Sequence, residues 1–261
     1  MPDPIITLTT DFGVAAPYAA ALKGVILALN PAARLVDLTH QVPPQDVFHA
    51  AFFLANAVPC FPREAIHVVV VDPGVGSDRA LLYVEVGGRR LLAPDNGCWT
   101  LIEGGGEPRV IRLAERRFWR EPVSSTFHGR DILAPVAAHL SLGIDPTLLG
   151  PPAREWVRLA RHEPRPVMNG LTGEVVFIDD FGNIITNIRA DWAQAPGVLL
   201  VGGVTLTESF RWVRTYADAS PGSLVALTSS NGLLEIAVAQ GNAARRLGAE
   251  VGTPVTIGWA K

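Results

Sequence analysis

The sequence predicts an α/β fold: an N-terminal domain built on a mostly parallel sheet, then a smaller all-β domain. Three observations carry this. Strand-like runs alternate with helix-like runs of roughly 12 residues over the first half. A stretch rich in proline and charge, Gly150 to Pro166, then interrupts the pattern and reads as an interdomain linker. Beyond it, short alternating runs are separated by Gly, Asn, Asp and Pro, the pattern of a small barrel or sandwich. The expected domains are 1–165 and 166–261.

"IITLTT" (Ile5 to Thr10) reads as a short strand ending at Asp11. Pro17 opens a run with helical spacing that stops at Asn30-Pro31. "RLVDLT" is a second strand, and "PQDVFHAAFFLANAV" a second helix with Pro44 near its first turn. "HVVVV" (His67 to Val71) has the unbroken β-branched run of a strand buried on both faces. "LLYVEVGGRRLLAPDNG" looks like a hairpin around Gly87-Gly88. "TFHGRDILAPVAAHLSLG" reads as one further helix ending at Gly143. In the second half "GEVVFID", "NIITNI", "GVLLVGGVTL", "FRWVRTYAD", "SLVALTS" and "LLEIAVAQ" read as strands, with one short helix near "NAARRLG".

Composition narrows the function classes. Of 261 residues, 48% are hydrophobic and 18% charged, enough for a sizeable core. The formal net charge is -3 and no Lys/Arg run exceeds two, which argues against a nucleic-acid partner. A small-molecule partner is expected instead. No signal-peptide pattern and no apolar run of membrane-spanning length is visible, so the expected setting is the cytoplasm. Cys60 and Cys98 have no metal-like spacing and read as small core hydrophobes. The histidines show no zinc-like spacing with a third ligand, so no metal site is expected.

Several residues sit where chemistry is plausible. Asp11 and Asp72 each end a strand, at the sheet edge where open α/β folds bind ligands. A structural turn or N-cap role competes with each reading. "DPGVGSDR" is neither a dinucleotide fingerprint nor a P-loop, but it lets Arg79 fold back on Asp72. His128 precedes Gly129 at a loop-to-helix junction, where the glycine permits a close approach and the imidazole suits proton traffic. "FIDDFGNIITNI" groups Asp179, Phe181 and Asn183, offering a ring to stack on a base and an amide to pair with an adenine edge. Ser230 lies in a Ser-Asn-Gly turn and Glu235 on the strand after it.

Taken together, "LTTDFG", "VVDPGVGSDR", "PDNG", "FHGRD", "IDDFGNIITNI" and "SSNGLLEIAVAQGNAA", in that order, resemble the S-adenosyl-L-methionine (SAM) hydrolases, or SAM hydroxide adenosyltransferases. These are relatives of the SAM-dependent chlorinase and fluorinase. The resemblance implies a C-terminal β-barrel, no cofactor, and a homotrimer with SAM held between subunits. It implies an Asp72-Arg79-His128 triad, Asp11 on the ribose, Asp179 on the methionine amine, Asn183 on adenine and Ser230 at the methionine end. Phe181 and Tyr216 would pack near the nucleoside, backbone at Asn242-Ala243 would meet adenine, and Glu235 would join the methionine end. The halogenating relatives carry an aromatic residue in place of Asp72 and an arginine in place of Asn231, and the fluorinase a serine in place of Gly129.

The activity so implied is attack of water on C5′ of SAM. Arg79 and a protonated His128 would favour hydroxide, while Asp72 orients the set or accepts the proton. Rival readings are a halogenase using chloride and a non-catalytic SAM or adenosine binding module.

Overall fold

The computed structural model describes residues 4–160, 162–192, 197–206 and 210–258. The chain divides into two compact units, Met1–Leu159 and Ala160–Lys261.

The first unit is a mixed α/β layer structure. Its strands are β1 (Ile5–Thr10), β2 (Arg34–Thr39), β3 (Ile66–Val70), β4 (Leu81–Val86), β5 (Arg89–Pro94) and β6 (Arg109–Arg112). Its helices are α1 (Tyr18–Leu29), α2 (Val47–Ala57) and α3 (Ala134–Ser141). The strands form one sheet in the order β2-β1-β3-β5-β4-β6. The β2-β1-β3-β5 part is parallel, and the β4 pairings are antiparallel. β3 is buried throughout because both sheet faces are covered. Val68 and Val70 pack with Leu22 and Ile26 of α1 and with α3, whereas Val69 and Val71 pack with Ala50 and Leu54 of α2.

Local chemistry sets the helix ends. α2 starts at Val47, later than Pro44, because Gln45 has φ 65 and cannot be helical. Asp46 caps the helix, its side chain accepting from His49 N at 2.8 Å. The run after His128 is not one α-helix. Gly129–Leu133 form a π-helical turn, and α3 follows it. The expected linker is partly packed on this unit: Trp156 lies against Trp99, and Leu159 N donates to Thr100 Oγ1 at 3.1 Å. Arg161 of that stretch lies outside the described residues. Of the two cysteines only Cys98 is a core residue, since Cys60 is exposed.

The second unit holds β7 (Arg165–Val167), β8 (Gly170–Ile178), β9 (Ile184–Arg189), β10 (Val198–Val201), β11 (Val204–Thr205), β12 (Phe210–Trp212), β13 (Leu224–Thr228), β14 (Leu233–Val238), β15 (Pro254–Gly258) and the short helix α4 (Ala243–Leu247). The strands run β11-β10-β15-β8-β9-β14-β13-β12, with β7 on β8. All pairings are antiparallel except β12 with β13. Among the described residues the path is open, a half-barrel curled around one apolar core. The expected strand over Phe210 to Asp218 ends at Trp212, and Tyr216–Asp218 form a 3₁₀ turn. β6 and β15 carry no strong sequence signal. No helix among the described residues is long and apolar enough to cross a membrane.

His67 on β3 is fully buried, and its Nδ1 lies 2.8 Å from Thr7 Oγ1 on β1. Burial, then the charges of Arg89 and Arg90, push its pKa down to about 4. The native state therefore keeps this imidazole neutral while the unfolded chain protonates it below about pH 6.5. The His67 contribution is full above pH 6.5 and is lost as pH falls toward 4, by about 3 kcal/mol in all. Urea melts of wild type should weaken over that window, and His67→Gln should flatten the slope. An equal slope in the variant would reject this assignment.

Candidate active site

Two segments far apart in sequence meet at the carboxyl edge of the parallel strands. Thr10 of β1 pairs with Val70 of β3, so Asp11 and Asp72 leave the sheet at the same edge. The turn after Asp72 is held by Val75 N donating to Asp72 O (3.2 Å) and Ser77 N to Gly74 O (3.0 Å). At Gly76 (φ +83) a Cβ would stand 2.6 Å from Ser125 O, so this turn docks backbone-first on the loop that leads to His128. Asn96 braces the other side, its Nδ2 donating to Val71 O at 2.8 Å.

The turn returns Arg79 to Asp72. Arg79 Nε donates to Asp72 Oδ1 at 2.8 Å, and Nη2 donates to Oδ2. The pair is largely withdrawn from water, with side-chain exposures of 12% for Arg79 and 7% for Asp72. The forked geometry is the strong form of an arginine–carboxylate contact. The same Nη2 stands 2.9 Å from His128 Nδ1. A guanidinium has only donors, so Nδ1 must accept, and the proton belongs on Nε2. His128 is therefore neutral, which corrects the expectation of a protonated imidazole. Burial and the Arg79 charge hold its pKa below the usual histidine value, with Asp72 and Asp131 opposing.

His128 owes its position to the turn that follows. A Cβ on Gly129 would come within 2.8 Å of Val70 Cγ1, so the close approach at this glycine is to β3. Asp131, fully buried, accepts from Arg130 Nε and Nη2 at 2.7 and 2.8 Å, from Arg120 Nη1 at 3.1 Å and from Ser124 N at 2.9 Å. This knot ties down the loop that carries His128. No sequence signal marks Asp131 as the residue that anchors this loop.

Asp11, Asp72 and His128 line one cleft with Phe12, Gln45 and Phe127. Asp11 Oδ2 accepts from Gln45 N at 2.9 Å, a contact made by the left-handed backbone at Gln45. No sequence signal marks Gln45. Phe12 and Phe127 form an aromatic trio with Tyr18, with ring centroids 5.3 to 5.8 Å apart.

The second unit has its own cleft, of about 510 Å³, lined by Asp179, Phe181, Asn183, Tyr216, Val238, Gln240 and Gly241. Asp179 closes the turn between β8 and β9. Its Oδ1 accepts from Phe181 N (3.0 Å) and Asn183 N (2.8 Å), and its Oδ2 from Asn183 Nδ2 (2.9 Å). Phe181 is thereby left 76% exposed on the rim. The other candidates do not line this cleft. Ser230 is exposed in its turn, where Ser229 makes the bonds to Leu233. Glu235 is buried behind Tyr216. Asn242 caps α4, its Oδ1 accepting from Arg245 N at 2.6 Å, and Ala243 is buried. Among the described residues no group of three or more His, Cys, Asp or Glu is placed to hold a metal.

Known proteins resemble this chain over both units. Residues 6–150 match the SAM hydroxide adenosyltransferase N-terminal domain, and residues 173–256 match its C-terminal domain. A relative from Salinispora tropica, named (R)-S-adenosyl-L-methionine hydrolase, is 40% identical over 98% of both chains. A protein of Actinoplanes sp. named fluorinase is 28% identical, covering 90% of this chain and 91% of its own. A crystal structure of an uncharacterized conserved protein from Thermotoga maritima superposes with a TM-score of 0.90 at 33% identity, covering 97% of this chain and 99% of that one. With both domain models matched in order along the chain, this protein belongs to the SAM hydroxide adenosyltransferase family.

Proposed function

We propose that this protein hydrolyses SAM, in the (R)-sulfonium form named for its relatives, to adenosine and L-methionine. The observation that carries the reading is the hydrogen-bonded Asp72–Arg79–His128 chain, whose Asp72 and His128 line the cleft beside Asp11. SAM is already activated at C5′, because its sulfonium leaves as a neutral thioether. The nucleophile is the difficulty, since bulk water has a pKa of about 15.7. In the proposed step a water oxygen bonds to C5′ as the C5′–S bond breaks, and the bond pair goes to sulfur. Asp72 accepts the proton lost by water and returns it to solvent. His128 donates from Nε2 to the water oxygen and orients it. Arg79 holds both partners and offers positive charge to the developing hydroxide. Placing water in line behind C5′ supplies much of the remainder, up to about 7–11 kcal/mol at best.

The substrate-binding roles belong to the same proposal. Asp11, held by Gln45, takes the ribose hydroxyls. Phe181, Asn183 and Tyr216 take the nucleoside, and backbone at Asn242-Ala243 takes the adenine edge. Asp179 and Ser230 take the methionine end. The proposed assembly is a cytoplasmic homotrimer of barrel-bearing subunits that complete one another's sites. The carboxylate of Asp72 speaks against a halide nucleophile, because it repels an incoming anion.

Turnover in halide-free buffer made with oxygen-18 water tests the chemistry. Adenosine should carry the heavy oxygen and methionine should not. Products appearing only when chloride is restored would replace the reading with a halogenase. Asp72→Ala should lower kcat by about 10²–10⁴-fold while SAM still binds in calorimetry. Near wild-type turnover would remove Asp72 from the mechanism. The acid limb of kcat/KM should lie below pH 6.5, because the active imidazole is neutral and its pKa is depressed. An acid limb above pH 6.5 that vanishes in His128→Asn would contradict that protonation state.

A further inference from the structure

The water-activating chain makes no use of Glu235. This carboxylate lies within β14, opposite Leu227 of β13 and Ile185 of β9, and is only 5% exposed. Its visible partner is Tyr216, whose hydroxyl donates to Glu235 Oε1 at 2.5 Å. Tyr216 in turn lines the second-unit cleft that also contains Asp179. Burial and the Glu235 carboxylate push the Tyr216 phenol above its ordinary pKa, so it stays a donor. A phenol that donates to a carboxylate gains electron density in its ring. An electron-rich ring beside a second carboxylate attracts cations, and it offers a neutral ligand no comparable gain.

We propose that Glu235 is a positioning residue that acts through Tyr216 to make this cleft selective for a cationic ligand over a neutral one. The inference rests on the SAM reading and deepens it. The sulfonium of the substrate is the cation selected. Hydrolysis erases the sulfonium charge, so the neutral adenosine product loses the attraction that held the substrate. Glu235 itself need not touch the substrate, because the Tyr216 ring presents the effect on the cleft wall.

The test compares SAM with S-adenosyl-L-homocysteine, the thioether that lacks only the sulfonium methyl and its positive charge. Calorimetry would be run in the Asp72→Ala background so that SAM is not consumed. Glu235→Gln should weaken SAM about tenfold and the thioether less than twofold. Tyr216→Phe should shift the two ligands in the same unequal way, and Glu235→Asp should recover part of the loss. Equal weakening of both ligands, or no weakening of either, would overturn the proposal. If Glu235→Gln does not fold, the Tyr216→Phe comparison decides alone, since that side chain is 44% exposed. The two readings fail separately. A wild type that prefers SAM but releases no product defeats hydrolysis and leaves selectivity standing. A wild type that turns SAM over, with variants that weaken both ligands equally, defeats selectivity alone.

Discussion

The site depends on the demand that a nearly buried carboxylate be paired. β3 is covered on both faces, and its chain delivers Asp72 to the sheet edge with little access to water. An unpaired charge there would cost several kcal/mol. The Pro73 to Asp78 turn exists in a form that brings Arg79 back, and the guanidinium answers with a fork. Once Arg79 is committed, its remaining Nη2 contact fixes His128 and its tautomer. The surrounding braces keep this geometry in place: Asn96 on Val71, Gly76 on Ser125, and the Asp131 knot.

In the first unit the Asp72–Arg79–His128 chain is thus charge-balanced before any substrate arrives, and the Asp11 carboxylate is the remaining charge of the cleft. Asp72 and Arg79 cancel, and His128 is neutral. That suits a reaction in which water, not an anion, meets a sulfonium. The second unit's cleft is different in kind. Its polar groups are largely used to shape a hairpin turn, and the aromatic rings of Phe181 and Tyr216 are left on its wall.

Much of this was legible in the residues, for reasons specific to each element. The continuous valine run of β3 announces burial on both faces, and the Pro-Gly turn after it marks the sheet edge. Period-two alternation located most strands of the second half. The failures also have physical causes. Gln45 adopts a left-handed conformation in tertiary context, so α2 begins later than its apolar spacing suggests. The π-helical turn hides inside an almost wholly apolar run, Ile132 to Ala138, where periodicity cannot mark an extra residue. The tautomer of His128 follows from which nitrogen faces a guanidinium, and spacing carries no such information. Spacing likewise does not reveal that Glu235 is only 5% exposed and bonded to Tyr216.

The contact between Gly129 and Val70 has a further consequence. The backbone beneath His128 rests on the γ-methyls of a core valine, so catalytic geometry and core volume share one boundary. A side chain at position 129 forces Val70 to move or to shrink, so enlarging residue 129 disturbs the core of β3 at the same time as the site above it.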